Sequence, residues 1–462
     1  MLPYLALFLW LILIVCLFRY DPAKDRRFAK ALWVPLIWMI LLGSRSASQW
    51  LGDTTTLEEG NSIDHVVYLT LTVLALAILS ARHLNWRNVT AFNSTLALLV
   101  LFSLLSVMWA DFPTVAFRRW IREAGNYVMV LVVLSEPDPL KAIEAMLRRL
   151  SYFLISLSVV FIKYFPSGVM YDAWTGRQHF VGVTGGKNSL GLVCLIAGLF
   201  LFWDLLRRWS NRRAPNVKRI IFVDIVFVAM TLWLLNLAES ATSRLCLVIG
   251  CLVVALVHYG SSSVRQNVAR TLPIAGCLAL ALEFTFGLSD AIASVMGRDP
   301  TLTGRTEIWA TLLDVKTNPL LGVGFSSFWL GDRMFSLWQQ THLIGLVNAH
   351  NGYLETYLEL GIVGLCILSG FLLVSYRTTC RRLTSSVEFA SLSLALWTIL
   401  VIYNVTESAF RGNPLWVTFL LVAIVVPVSS TKRNPNKREA TQIAVAGTRR
   451  LARPTLRSRV EQ

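Results

Sequence analysis

Long apolar runs separated by short polar connections dominate this chain. They fall at 2–18, 31–43, 66–80, 92–109, 125–135, 151–164, 188–206, 220–237, 245–258, 272–288, 352–376, 386–403 and 414–428. With flanks and tilt allowed for, each approaches the roughly 17–25 residues a helix needs to cross a bilayer. The runs are continuous rather than alternating, which excludes the two-residue period of a membrane β-barrel. The pattern predicts an all-α, polytopic membrane protein with about 12–14 transmembrane helices. One long polar stretch, from about 290 to 349, interrupts the series before the last three helices. Residues 1–428 read as a single transmembrane domain, and 429–462 as a basic tail whose composition predicts disorder.

Composition agrees with this class. Only 15% of the 462 residues are charged and 55% are hydrophobic, whereas a soluble domain carries about a quarter charged residues. The first run has no basic segment ahead of it and no small-residue cleavage site before Arg19, so a retained helix is expected rather than a signal peptide. The seven cysteines lie almost all inside apolar runs and show no metal-ligand spacing.

The charge distribution supplies an orientation. Of the 43 Lys and Arg residues, 30 fall in alternate connections (19–30, 81–91, 136–150, 207–219, 259–271, 377–385) and the tail from 429. The positive-inside rule places that set and the C-terminus in the cytoplasm. The net charge of +16 is therefore a topology signal, and no nucleic-acid partner is expected. The other 13 cations, Arg118, Lys187, Arg244, Arg305 and Arg411 among them, face outward.

Four outward segments carry candidate chemistry. Asn348-Ala349-His350-Asn351-Gly352-Tyr353-Leu354-Glu355-Thr356-Tyr357-Leu358-Glu359-Leu360-Gly361 sets a histidine, two carboxylates and two tyrosines at the mouth of an apolar helix. Polar groups at such a depth are costly and mark functional sites. A histidine at a helix start, near arginines, is expected to be neutral and suited to accept a proton. Phe180 through Gly191 leads glycines and Lys187-Asn188 into a helix start, where exposed amides favour an anion. It is not a Walker loop, because Gly182 stands one residue too close to Gly186. Glu239 through Arg244 puts an arginine beside three hydroxyls, a setting for bidentate phosphate binding. In the long outward stretch, Ile308, Trp309, Leu312 and Leu313 recur at helical spacing, so 304–316 reads as an amphipathic helix on the membrane or over a cavity, stopped by Asn318-Pro319. Trp329, Phe335 and Trp338 belong to an interfacial belt or to a sugar platform. Two weaker groups, Trp109 through Arg122 and Asn404 through Arg411, face the same side and are expected to line one cavity.

In these segments the chain resembles the bacterial O-antigen ligase and polysaccharide polymerase family, in its exopolysaccharide-production branch. The matching pieces are Gly182 to Gly191 with Lys187-Asn188, Ser243-Arg244, Gly304-Arg305 through Trp309, Asn318 through Phe328, and His350-Asn351 through Gly361. Trp109 to Arg122 and Glu59-Gly60-Asn61 are similar too. The resemblance implies an inner-membrane glycosyltransferase, without metal or other cofactor, that polymerises or transfers undecaprenyl-diphosphate-linked glycan on the periplasmic face. It implies that Arg244 and Arg305, with Lys187, hold the diphosphate and that His350 activates the acceptor hydroxyl. Tyr353, Tyr357, Glu355, Arg411 and Arg118 are candidates for the acceptor site or cavity. Membrane lipids and other exopolysaccharide assembly proteins are the expected partners. A ligase acting on lipid A core, or a lipid-linked glycan transporter or flippase, is the alternative.

Overall fold

The computed structural model describes residues 2–19, 30–52, 61–82, 84–171, 176–210, 212–213, 217–286, 305–341, 343 and 345–426, without the side chains of 277, 279–286 and 305–307. Glu59, Gly60, Gly304, the side chain of Arg305 and the basic tail lie outside this description.

Each of the thirteen apolar runs falls on a helix. In chain order the helices are α1 (Leu2–Arg19), α2 (Trp33–Leu42), α3 (Ala47–Trp50), α4 (Ser62–Ala81), α5 (Trp86–Phe92), α6 (Ser94–Leu105) and α7 (Pro113–Leu134). There follow α8 (Pro139–Tyr164), α9 (Lys187–Ser210), α10 (Val217–Ala238), α11 (Ala241–Tyr259) and α12 (Ser262–Phe286). The last five are α13 (Arg305–Asp314), α14 (Gly331–Thr341), α15 (Gly352–Arg382), α16 (Val387–Thr406) and α17 (Pro414–Ala423). Two short antiparallel strands, Val169–Tyr171 and Gln178–Phe180, precede α9.

Among the described residues, eight helices are long and apolar enough to cross a membrane, and α5 with α6, bent by 95°, makes a ninth if counted as one span. The segments Lys30–Leu42 and Pro414–Ala423 are shorter apolar helices. The run at 125–135 proves to be the end of α7, which begins twelve residues earlier at Pro113 and brings Arg118, Arg119, Arg122 and Glu123 into the bundle. Helices α8, α9 and α16 form the centre, each with 78% of its apolar window buried, whereas α1 is peripheral at 11%.

Polar contacts between connections respect the division read from charge. At the Lys- and Arg-rich end, Arg82 pairs with Glu136 and Arg207 with Glu144, and Asn93 bonds Val425. At the other end, Arg333 pairs with Asp111, Arg177 with Glu239, and Asn188 with Glu407. The sequence partition is thus also a spatial one.

The outward stretch before α15 is folded where it is described. Ile308, Trp309 and Leu312 of α13 are buried in a second apolar cluster with Val323, Phe328, Trp329, Leu337, Ala349 and Leu358. The amphipathic face expected for α13 therefore packs on protein. Trp329 is buried in this core, so it is neither belt nor platform.

Candidate active site

The site is organised by a break in α15. At Gly361 the backbone turns to φ 64°, ψ −168°, a conformation open essentially to glycine alone. The Asn318–Gly324 segment inserts there. The amides of Ile362 and Val363 donate to the carbonyls of Pro319 (2.9 Å) and Leu320 (3.2 Å). In return, the amides of Val323 and Gly324 donate to the carbonyls of Leu358 (3.2 Å) and Glu359 (2.9 Å). A helix break at this depth survives because another segment of the protein satisfies its backbone groups. The approach leaves no room for side chains: a Cβ on Gly361 would lie 2.2 Å from Leu320, and one on Gly322 would lie 2.3 Å from Glu359.

One turn before the break, Glu355 and Glu359 point at Arg411. Arg411 Nη2 donates to Glu355 Oε1 at 3.0 Å, and its Nη1 pairs with Glu359 Oε2. Glu355 also accepts from Trp329 Nε1 (2.7 Å) and from the amide of Ala349 (2.7 Å). Glu359 accepts from the amide of Ser326 at 2.9 Å. Both carboxylates are buried, so this shared arginine is what makes their charge tolerable there. Burial lowers the Arg411 guanidinium from its ordinary value, while Glu355 and Glu123 oppose that shift. Glu355 thus anchors the loop that carries His350.

His350 itself has φ 49°, an unusual conformation for a non-glycine residue that is stabilised here by the Asn348 side chain accepting from its amide at 3.0 Å. Asn351 caps α15 by accepting from the amides of Tyr353 and Leu354, both at 3.0 Å. Glu407, just past the end of α16, lies 3.2 Å from His350 Nδ1 through Oε2, and its Oε1 accepts from Asn188 Nδ2 at 3.0 Å. An ionised carboxylate only accepts, so in this contact Nδ1 is the donor, and in a neutral ring Nε2 is then the acceptor nitrogen. The Glu407 carbonyl also accepts from the amide of Gly352 at 3.1 Å, and a Cβ on Gly352 would meet Asn404 Oδ1 at 2.0 Å. Histidine, carboxylate and amide come from three parts of the chain.

The other sequence candidates divide. Lys187 begins α9 next to Asn188, the residue that bonds Glu407. Arg244 donates to the carbonyls of Asn236 (2.9 Å) and Leu235 (3.5 Å). Its helix start is tied to the end of α16 by Thr242 and Thr406, whose hydroxyls are 2.8 Å apart. Arg305 opens α13, and Trp309 one turn on donates to the Ala349 carbonyl at 2.9 Å, which docks that helix beside His350. Tyr353 braces α15 on α16 by donating to the Val401 carbonyl at 3.0 Å, and Tyr357 packs on the outer apolar cluster. Neither tyrosine lines the two cavities near Arg411.

Those cavities hold residues the sequence left in the background. The larger, about 400 Å³, is lined by Arg118, Arg119, Arg122 and Arg411 with Asp64 and Glu123. The smaller, about 180 Å³, reaches Asn348, Gly352, Glu355, Glu359 and Ser408. Glu123, Phe325 and Arg411 line both. Glu407 was visible only as part of a weak polar group, since its partner lies 57 residues away in sequence. The signal in α7 was the spacing Arg118-Arg119-x-x-Arg122 just inside a helix start.

Fold and site together define a multi-pass helical membrane protein with a His–Glu pair and an arginine-lined cavity at one end of its bundle. Residues 225–369 match the family described as O-Antigen ligase (Wzy_C). The matched stretch runs from α10 into α15 and contains Arg244, Arg305 and His350. The chain is also 26% identical over 295 residues to the exopolysaccharide production protein ExoQ of Rhizobium meliloti (strain 1021). That match covers 62% of this chain and 65% of the relative, a little under two thirds of its length.

Proposed function

We propose that this protein is a glycosyltransferase of exopolysaccharide or O-antigen assembly in the inner membrane. It would join lipid-diphosphate-linked glycan units on the periplasmic face, with its C-terminus in the cytoplasm. The observation that carries this reading is the pair formed by His350 and Glu407, bonded to Asn188 at the start of α9 and set at the arginine-rich end of the bundle. The acceptor hydroxyl loses its proton to His350 Nε2, and its oxygen forms a bond to the anomeric carbon. The bond from that carbon to the diphosphate breaks, and the lipid diphosphate leaves with the electron pair. Glu407 holds the imidazole in the acceptor tautomer and stabilises the imidazolium that forms. Lys187, Arg244 and Arg305 are the proposed diphosphate clamp, since cations fixed near a departing anion lower the barrier. The leaving group is already activated, so no second carboxylic acid is required, unlike glycoside hydrolysis.

The 26% identity to an exopolysaccharide production protein favours a polymerase. Purified protein in nanodiscs, given an undecaprenyl-diphosphate-linked repeat and excess chelator, is expected to form new glycosidic bonds as a ladder of products. Transfer only when lipid A core is added would make it a ligase. Substrate crossing the bilayer with no new bond would contradict the proposal in favour of transport.

A further inference from the structure

We infer that the arginine cavity between α4 and α7 is a second anion site, which holds the diphosphate of the acceptor glycolipid while its sugars pass through the smaller cavity to His350. This rests on the glycosyltransferase reading and adds where the second substrate sits. Four arginines and two carboxylates line the larger cavity, and one carboxylate, Asp64, is occupied by the amide and hydroxyl of Ser48 at 2.9 and 2.7 Å. Arg118 has no hydrogen-bond or ion-pair partner among the described residues. Arg122 touches Tyr68, by a 3.2 Å hydrogen bond to its hydroxyl and a guanidinium 4.4 Å from its ring, rather than a carboxylate. Arg411 is committed to Glu355 and Glu359, so the remaining cations of the lining are Arg118, Arg119 and Arg122, one more than its two carboxylates; guanidinium groups fixed around a concave site suit phosphate geometry. About 400 Å³ is also within the range of ligand pockets, roughly 300–1,000 Å³.

The second observation lies next door. Glu123 Oε1, Glu359 Oε1 and Ser408 Oγ are buried with no hydrogen-bond partner, and all three residues line the smaller cavity. Buried polar atoms are rarely left so, and each marks a missing ligand or water. Two carboxylate oxygens and a hydroxyl around a small space match a sugar ring, whose hydroxyls donate to the first and exchange bonds with the second. Arg411, Phe325 and Glu123 line both cavities, and Asn348, whose side chain accepts from the His350 amide, also lines the smaller one. The inferred path runs from the anion site through the smaller cavity toward that loop. The exposed apolar flank of α4, with Val66, Leu69 and Val73, runs beside the anion site and suits a polyprenyl tail.

Binding stoichiometry tests this without relying on turnover. Wild-type protein in nanodiscs is titrated with undecaprenyl diphosphate and read by native mass spectrometry. Two equivalents are expected for wild type and one for R118A/R122A, with one equivalent also for Lys187→Ala. Arg118 contacts no protein partner, so R118A alone should fold normally, and it should raise the acceptor KM at least about tenfold while kcat holds. A wild type that binds a single equivalent, or a double variant that still binds two, would overturn the inference and leave the catalytic reading standing. No binding of either equivalent would overturn both. Displacement of the second equivalent by glucuronate but not by inorganic pyrophosphate would identify an acidic-sugar site and overturn the diphosphate assignment. So would tighter competition there by phosphorylated lipid A core.

Discussion

His350 depends on neighbours that no local pattern reveals. Its position at an apolar helix mouth was legible, because a polar group there needs a reason. Glu407 was not, since the 3.2 Å contact is made only when α15 and α16 close on each other. Glu407→Gln removes the charge that stabilises the imidazolium and leaves one acceptor oxygen for two groups, His350 Nδ1 and Asn188 Nδ2, so turnover should fall about 10–100-fold while substrate binding is kept, read as kcat against KM. Glu355 and Glu359 were legible as two carboxylates at that helix mouth, but their shared partner, Arg411, lies more than 50 residues on. Arg411→Ala strands both buried carboxylates and should cost about 3–5 kcal/mol, seen as a drop in thermal stability. Restoring stability by adding Glu359→Gln would confirm that the loss is electrostatic.

At the level of elements, the decisive feature is the splice at Gly361. The sequence marked Asn318-Pro319 as a helix stop. It could not show that the segment beginning there fills the break at Gly361, because the bonds join residues some forty positions apart. Gly361→Ala meets both a forbidden φ and the Leu320 backbone, and the strained backbone alone should cost on the order of 1–3 kcal/mol. The expected outcome is lower melting temperature and lost activity, with far smaller effects for alanine at Gly370, where a Cβ meets nothing within 4 Å. The helix α13 was legible from Ile308, Trp309 and Leu312, since burial of one face leaves a helical period, but Leu313 is exposed and the buried face packs on protein rather than on the membrane. What it would pack against had no such signature.

For the whole molecule, apolar runs and the placement of lysine and arginine carried most of the information. A bilayer imposes helix length and charge asymmetry directly on the sequence, whereas cavities arise where helices fail to touch. Arg118 and Arg411 were still assigned to one cavity from the sequence, and both line the larger one, but its bounds and its junction with the smaller cavity had no signature. The orientation predicts that alkaline phosphatase fused after Gly345 is active in cells and that green fluorescent protein fused after Gln462 is fluorescent; the reverse pattern would invert the topology. The central claim is that His350 is the base of a glycosyl transfer. Its most direct measurement is single-turnover formation of glycosidic bonds by purified wild type and His350→Ala with saturating lipid-diphosphate glycan. The account predicts a loss of about 10²–10⁴-fold in rate with bound substrate unchanged. A His350→Ala variant that forms bonds at the wild-type rate would contradict it.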